Sequence, residues 1–185
     1  MKNLPNKLTA LRILAVPLLV VAYYGYDFKM LAVGIFIAAS ITDWLDGYVA
    51  RSANQETPLG AFLDPVADKL LVVTVLTILM ATHHDAFLTM LGTIIICREL
   101  LVSSLREWLA QLNTAAKLTV TKQAKLKTAL QMLAIVLLIG AQDTHTLLWH
   151  AGKAILFLSV VFSLSSLINY IKIAWPVLTF GINQE

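Results

Sequence analysis

The sequence predicts an all-α membrane protein, a six-transmembrane-helix bundle forming a single transmembrane domain over residues 1–185. Three observations predict it. The chain is 58% hydrophobic and only 14% charged, and its mean hydropathy is +0.77. Its apolar residues gather into six long runs with polar stretches between them, which is the pattern of membrane spans rather than of a soluble core. No separate domain, low-complexity linker or internal repeat interrupts that pattern.

The first run covers about residues 8–24. Arg12 breaks its apolar character and no small-x-small site follows, so the start reads as an amphipathic lead into a membrane helix rather than a cleaved signal. Asn6 suits a helix N-cap and Arg12 a positive anchor at the membrane surface. Pro17 should kink this helix or leave a backbone carbonyl free. The second run begins near residue 30 and continues to Arg51. Its uncharged part, residues 30–41, spans about 18 Å at 1.5 Å per residue, whereas a hydrocarbon core is about 30 Å thick. Its aspartates therefore fall near one side, just within the membrane. The third run, about residues 59–82, mirrors this with aspartates near its start, and Pro65 should bend it there. Both acidic ends thus lie near one membrane face.

His83, His84 and Asp85 read as a solvated turn rather than a metal site, since adjacent histidines rarely chelate one ion from a loop. The fourth run, about residues 87–112, carries Arg98-Glu99 and Arg106-Glu107. Arg98 lies deep in apolar sequence and needs a partner, for which Glu99 or a substrate phosphate would serve. Arg106 is nearer the surface. The next stretch holds Lys117, Lys122, Lys125 and Lys127 and runs into the fifth span, residues 122–140. Anchoring against anionic lipid explains those lysines. Lys125 and Lys127 also sit at a helix start, a phosphate-binding position. The sixth run is about residues 153–175, where Ser163, Ser165 and Ser166 favour close helix packing.

Ten of the fourteen Lys and Arg flank one side: the amino terminus, the second-to-third and fourth-to-fifth connections and the carboxy terminus. Lys29 and Lys153 flank the other. Both termini and the acidic face are therefore expected to be cytoplasmic in a multi-pass arrangement. The net charge of +3 and pI near 9.0 follow from these loops. No basic stripe with interleaved aromatics points to nucleic acid. The lone Cys97 excludes an internal disulfide.

The chemistry is concentrated in residues 43–68, which read D-W-L-D-G-Y-V-A-R, eight residues, then G-A-F-L-D-P-V-A-D. Asp43 with Asp46, and Asp64 with Asp68, share helical faces by their spacings of three and four. Gly47 and Ala50 extend the first stripe and Gly60 begins the second, leaving a side-chain-poor groove beside each. A charge within a bilayer costs roughly 2.5–3.5 kcal/mol, so four carboxylates need compensation. Lys69 and Arg51 offset at most two. The remainder points to bound cations, and hard oxygen donors without nearby His or Cys favour two Mg²⁺ or Mn²⁺ ions. Such a pair with an open side clamps phosphoryl groups. A buried ion-pair network is the bland alternative.

Asp-x2-Asp-Gly-x2-Ala-Arg-x8-Gly-x3-Asp-x3-Asp resembles the signature of the CDP-alcohol phosphatidyltransferases at all eight defined positions. The segments I-T-D-W-L-D-G, C-R-E-L-L-V-S-S-L-R-E-W and K-L-K-T-A-L-Q resemble the bacterial members that make phosphatidylglycerophosphate. One departure is Ala124, where glycine is expected. The resemblance implies transfer of the phosphatidyl group from CDP-diacylglycerol to sn-glycerol 3-phosphate, releasing CMP, by a homodimer in the bacterial inner membrane. It implies that Asp43 and Asp64 bridge both metals, that Asp46 binds one and Asp68 the other, and that Asp68 accepts the hydroxyl proton. Gly47, Arg51, Thr57 and Gly60 would contact the CDP-lipid. The prefix P-N-K-L-T-A-L-R is similar to the family's amino-terminal segment, which makes Asn6, Thr9 and Arg12 candidates to line the substrate entrance. Arg98, Arg106, Lys125 and Lys127 are candidates for the acceptor's phosphate. Another polar alcohol, such as inositol phosphate, is the alternative acceptor. A cation carrier is the alternative class, disfavoured because the carboxylates lie toward one face and no repeat is seen.

Overall fold

A long apolar run satisfies its own backbone groups most simply as a helix, and each of the six runs does so. The computed structural model describes the backbone of residues 4–25, 29–53, 58–111, 122–141 and 143–180. It describes the side chains of residues 9–25, 29–42, 63, 66–67, 69–109, 111, 126–141, 143–172 and 174–175. The helices are α1 (Leu4–Tyr24), α2 (Lys29–Ala53), α3 (Pro58–His83), α4 (Ala86–Gln111), α5 (Lys122–Gly140) and α6 (Leu147–Phe180). Among the described residues there is no strand.

Local chemistry sets several ends. The first residue of α3 is Pro58, where a missing N–H costs nothing. Asp85 caps α4 by accepting the Leu88 N–H at 2.9 Å, and Thr146 caps α6 by accepting the Trp149 N–H at 3.3 Å. Pro17 lies inside α1 without ending it. Asn6 has helical backbone two residues inside α1, so it is not the N-cap of that helix. The sixth helix begins at Leu147 rather than near residue 153, because the Thr146 cap starts it and Lys153 is neutralised within it.

The helices close into a ring. α1 packs on α2 and α3, α2 on α5, α5 most extensively on α6, α6 on α4, and α4 on α3, while α3 also meets α5 across the middle. Each helix sends residues inward, among them Leu19, Phe36, Leu76, Ile95, Leu138 and Leu156. Gly152 permits the close α5–α6 approach, since a Cβ there would lie 2.8 Å from Leu138 Cγ.

The outer face is apolar as well, with Leu14, Val21, Leu31, Leu101, Leu133 and Leu158 exposed. A helix that is hydrophobic on every side belongs to a large core or a membrane. Residues Ala86–Leu109 of α4 and Leu147–Lys172 of α6 are long and apolar enough to cross a bilayer. The apolar stretches Thr9–Tyr24, Lys29–Thr42, Lys69–His83 and Leu126–Gly140 are shorter.

The His83–Asp85 turn is a polar clasp, not the solvated loop expected. The Tyr23 hydroxyl contacts Thr82 Oγ1 at 3.2 Å and His83 Nε2 at 3.0 Å. The His83 ring packs on Trp149 with centroids 4.3 Å apart, and Lys153 donates to Asp85 Oδ2 at 2.6 Å. Sequence separations of about sixty residues hid these partners. The clasp joins α1, α3, α4 and α6 at the end of the ring away from the acidic motif.

Candidate active site

The acidic motif occupies the last turns of α2 and the first turns of α3. Positions 43, 46, 47 and 51 have helical backbone in α2, and positions 60, 64 and 68 in α3. The side chains of Asp43, Asp46, Arg51, Asp64 and Asp68, and the surroundings of Gly47 and Gly60, lie outside the described residues, as do the side chains of Asn6 and Lys125. Thr57 lies outside them entirely.

Described contacts bracket the motif from both sides. On α2, one turn before position 43, Ser40 donates to the Phe36 carbonyl at 2.8 Å and lies 3.8 Å from Met132 Sδ of α5. On α3, directly after position 68, the Lys69 ammonium donates to Ser103 Oγ of α4. That bond gives Lys69 a partner away from the carboxylates, which the sequence alone did not offer. The opposed pairs 40–132 and 69–103 set the acidic turns level with the start of α5 and the second half of α4.

From that level toward the bundle interior, three helices share a buried charge cluster. Arg98 of α4 is 6% exposed and Lys127 of α5 is 4% exposed. Both converge on one oxygen, Glu99 Oε1, with Arg98 Nη1 at 3.0 Å and Lys127 Nζ in direct contact. From α6, the Ser163 carbonyl accepts Arg98 Nε–H at 3.3 Å and Ser166 Oγ accepts from Nη2 at 3.4 Å. Ser159 donates to the Lys127 carbonyl at 3.3 Å. Two of the α6 serines, Ser159 and Ser166, thus bind polar partners on α5 and α4 besides easing close packing. Ser165 bonds within its own helix, to the Phe162 carbonyl. Two cations against one carboxylate leave the cluster net positive in a low-dielectric setting, where an anion is favoured.

Lys127 is therefore inside the bundle rather than in an exposed basic loop. Arg12 and Thr9 are also buried, at 1% and 2% exposure, so Arg12 is no surface anchor. Arg106 is separated from this group. It is exposed, with its guanidinium carbon 5.6 Å from the Tyr170 ring centroid. Eight residues beyond Arg98 on α4, it lies roughly 12 Å farther along the axis.

Gln131 escaped the sequence reading. It sits one turn after Lys127, is buried, and its Oε1 has no hydrogen-bond partner among the described residues. Ser163 Oγ is in the same position. The available signal was a glutamine opening an otherwise apolar run, since polar groups at that depth are expensive.

The donor set suits hard divalent cations. His83 and His84 are at the far end of α3, about 22 Å along the axis from position 68, and His145 and His150 flank the start of α6 at that same far end. No histidine lies at the acidic end, and the aspartates there offer the oxygen donors that Mg²⁺ or Mn²⁺ prefer. Among the described residues no group of three His, Cys, Asp or Glu side chains offers a rival site.

An all-helical ring with an acidic motif beside a buried cationic cluster defines a class suited to phosphoryl chemistry. Residues 2–167 match the family model for CDP-alcohol phosphatidyltransferase, and the chain belongs to that family. A Pseudomonas fluorescens protein named CDP-diacylglycerol–glycerol-3-phosphate 3-phosphatidyltransferase is 43% identical, over 99% of this chain and 95% of its own length. Proteins of the same name from Wigglesworthia glossinidia brevipalpis and Escherichia coli K12 are 39% and 36% identical. They cover 94% and 93% of this chain and 95% and 94% of their own lengths.

Proposed function

We propose that this protein transfers the phosphatidyl group of CDP-diacylglycerol to sn-glycerol 3-phosphate, forming phosphatidylglycerophosphate and CMP in phospholipid synthesis. The observation that carries this reading is the buried Arg98–Glu99–Lys127 cluster, which lies just inside the acidic turns. A net positive cluster beside a CDP-lipid site favours a phosphorylated acceptor over serine. The names of the relatives support the same assignment.

In this reading Gly47, Arg51, Thr57 and Gly60 hold the CDP-lipid, glycine by allowing close backbone approach and Arg51 by its phosphate-matched guanidinium. Asn6, Thr9 and Arg12 line the entrance from α1. Asp43, Asp46, Asp64 and Asp68 would hold two divalent cations, which when bound neutralise the pyrophosphate and the leaving oxygen. The acceptor hydroxyl oxygen bonds to the lipid-linked phosphorus as the bond from that phosphorus to CMP breaks. CMP keeps the electron pair, and the hydroxyl proton passes to Asp68. Arg98 and Lys127 hold the acceptor's phosphate from inside, with Arg106 and Lys125 toward the mouth, which fixes the hydroxyl for in-line attack.

The same reading makes residues 1–185 one six-span domain in a bacterial inner membrane, a homodimer with both termini and the active site cytoplasmic. The four shorter apolar helices support six spans, because α1, α3 and α5 carry their charges at the active-site end and α2 all of its charges but Lys29, where the protein interior and substrates compensate them. The test is a product assay with CDP-diacylglycerol against glycerol 3-phosphate, inositol phosphate and serine. Phosphatidylglycerophosphate from the first acceptor alone is expected. Transfer to another acceptor, or no CMP release, would overturn the assignment.

A further inference from the structure

Arg98 and Lys127 reach the same oxygen of Glu99, yet they are held very differently. Arg98 is also gripped by α6 through the Ser163 carbonyl and Ser166 Oγ. Among the described residues the Lys127 ammonium has one partner, Glu99. A buried ammonium without a counter-ion is strongly disfavoured, so the place of Lys127 depends on that carboxylate. The shared oxygen also demonstrates that a single anionic oxygen can bridge both cations. One N–H on each terminal nitrogen of Arg98, and two on Lys127, have no partner among the described residues. A phosphate monoester can take such a fan of donors beside a carboxylate that itself stays bound.

We propose that Glu99 is a positioning residue that holds Lys127 against Arg98 so that the pair receives the acceptor's phosphate. It touches neither substrate and acts through Lys127. This rests on the reading above that the acceptor carries a phosphate.

The test is steady-state kinetics on full-length protein in mixed micelles, varying each substrate separately. It compares the wild type with Glu99→Gln, Glu99→Asp, Lys127→Met and the Glu99→Gln/Lys127→Met double variant. Glu99→Gln should raise the apparent KM for glycerol 3-phosphate roughly tenfold to hundredfold, the scale of one lost charge-assisted hydrogen bond. The KM for CDP-diacylglycerol should stay within about twofold, because uniform loss of one substrate's binding leaves the other alone. Glu99→Asp keeps the charge but shortens its reach, so it should recover part of the loss. On the Lys127→Met background, Glu99→Gln should add less than about threefold, since the two side chains act as one unit.

Equal rises in both KM values would indicate a merely structural role and overturn the proposal. A lower KM for glycerol 3-phosphate would mean that the carboxylate competes with phosphate, and would overturn it equally. Full additivity in the double variant would mean that Glu99 does not act through Lys127, and would overturn the proposal. Should Glu99→Gln fail to fold, Glu99→Asp decides, with an unchanged glycerol 3-phosphate KM as the adverse result. Wild-type protein that releases CMP without forming phosphatidylglycerophosphate would overturn the acceptor assignment and this proposal together. Normal wild-type product with an unaffected Glu99→Gln overturns this proposal alone.

Discussion

Asp68 directly precedes a lysine whose ammonium is bonded to Ser103 of the neighbouring helix. Lys69 is thus held toward α4, which suits a role for Asp68 as proton acceptor. Asp68→Asn is expected to retain folding and nucleotide binding while losing nearly all turnover, because the amide cannot take the hydroxyl proton. CMP release and CDP-diacylglycerol binding, measured on the same preparation, check this, and near-normal CMP release would sink the assignment. Chelation should likewise abolish activity, and added Mg²⁺ or Mn²⁺ should restore it, since four carboxylates would otherwise repel a pyrophosphate. Full activity after rigorous metal removal would rule out the two-metal reading. The helical backbone at positions 43–46 and 64–68 was legible in the sequence, whose spacings of three and four are those of a helical face. The Glu99–Lys127 bond was not. It joins residues 28 apart on two helices that both pack on α6, and only the ring closure brings them within reach. Gln131 was missed for a related reason, since its burial comes from neighbours that no local pattern names.

The helices themselves were largely legible, because apolar runs of this length admit little else. The fifth spans residues 122–140 as the sequence indicated. The start of the sixth was misjudged because Lys153 looked like a membrane-boundary charge, whereas Asp85 neutralises it inside the helix. That pair yields an element-scale prediction. Burial alone would raise the Asp85 carboxyl, but the Lys153 hydrogen bond, the Leu88 N–H and the Lys153 charge hold it below its ordinary value. A lowered folded value means that ionised Asp85 favours the fold. Its contribution is complete above the unfolded value of about 3.9 and fades as pH falls through the lower folded one. Asp85→Asn should therefore lower the thermal midpoint at neutral pH, with the gap closing in acid. The screened ion pair contributes up to about 1 kcal/mol. Asparagine caps helices nearly as well as aspartate, so the cap itself should survive. Melting curves of both proteins between pH 7 and 3 check this, and a gap independent of pH would contradict it. Two glycines offer a second contrast. Alanine at Gly152 would press on the branch point of buried Leu138, at 2.8 Å, and should cost about 1–3 kcal/mol. At Gly92 the obstacle is the flexible end of Met80, at 2.7 Å, and the better helix propensity of alanine, worth up to about 1 kcal/mol, should nearly offset it. Comparable losses for Gly152→Ala and Gly92→Ala in a thermal-shift assay would show that the α5–α6 contact is not especially tight.

At the scale of the whole molecule, the ring has two ends of different chemistry, and this asymmetry predicts its orientation. One end carries the acidic turns of α2 and α3, the buried Arg98–Glu99–Lys127 cluster and the basic stretch leading into α5. The other carries the Tyr23–His83–Trp149 clasp and the Asp85–Lys153 pair. Burial removes Arg12 and Lys127 from the ten flanking charges read from sequence, leaving eight in that count. The opposite end keeps only Lys29 and Lys153, and Asp85 neutralises the latter. The count therefore still favours one end, and because Lys and Arg in short loops stay on the cytoplasmic side, it predicts a cytoplasmic acidic end. Function requires the same sense, because glycerol 3-phosphate and CMP are charged and cannot cross a bilayer unaided. The exposed positions His145 and Gln111 report on opposite ends, and Cys97→Ala removes the native thiol. In that background, His145→Cys should react with a membrane-impermeant maleimide on intact cells, and Gln111→Cys only after permeabilisation. The reverse pattern would invert the molecule, and labelling of both on intact cells would break the six-span arrangement.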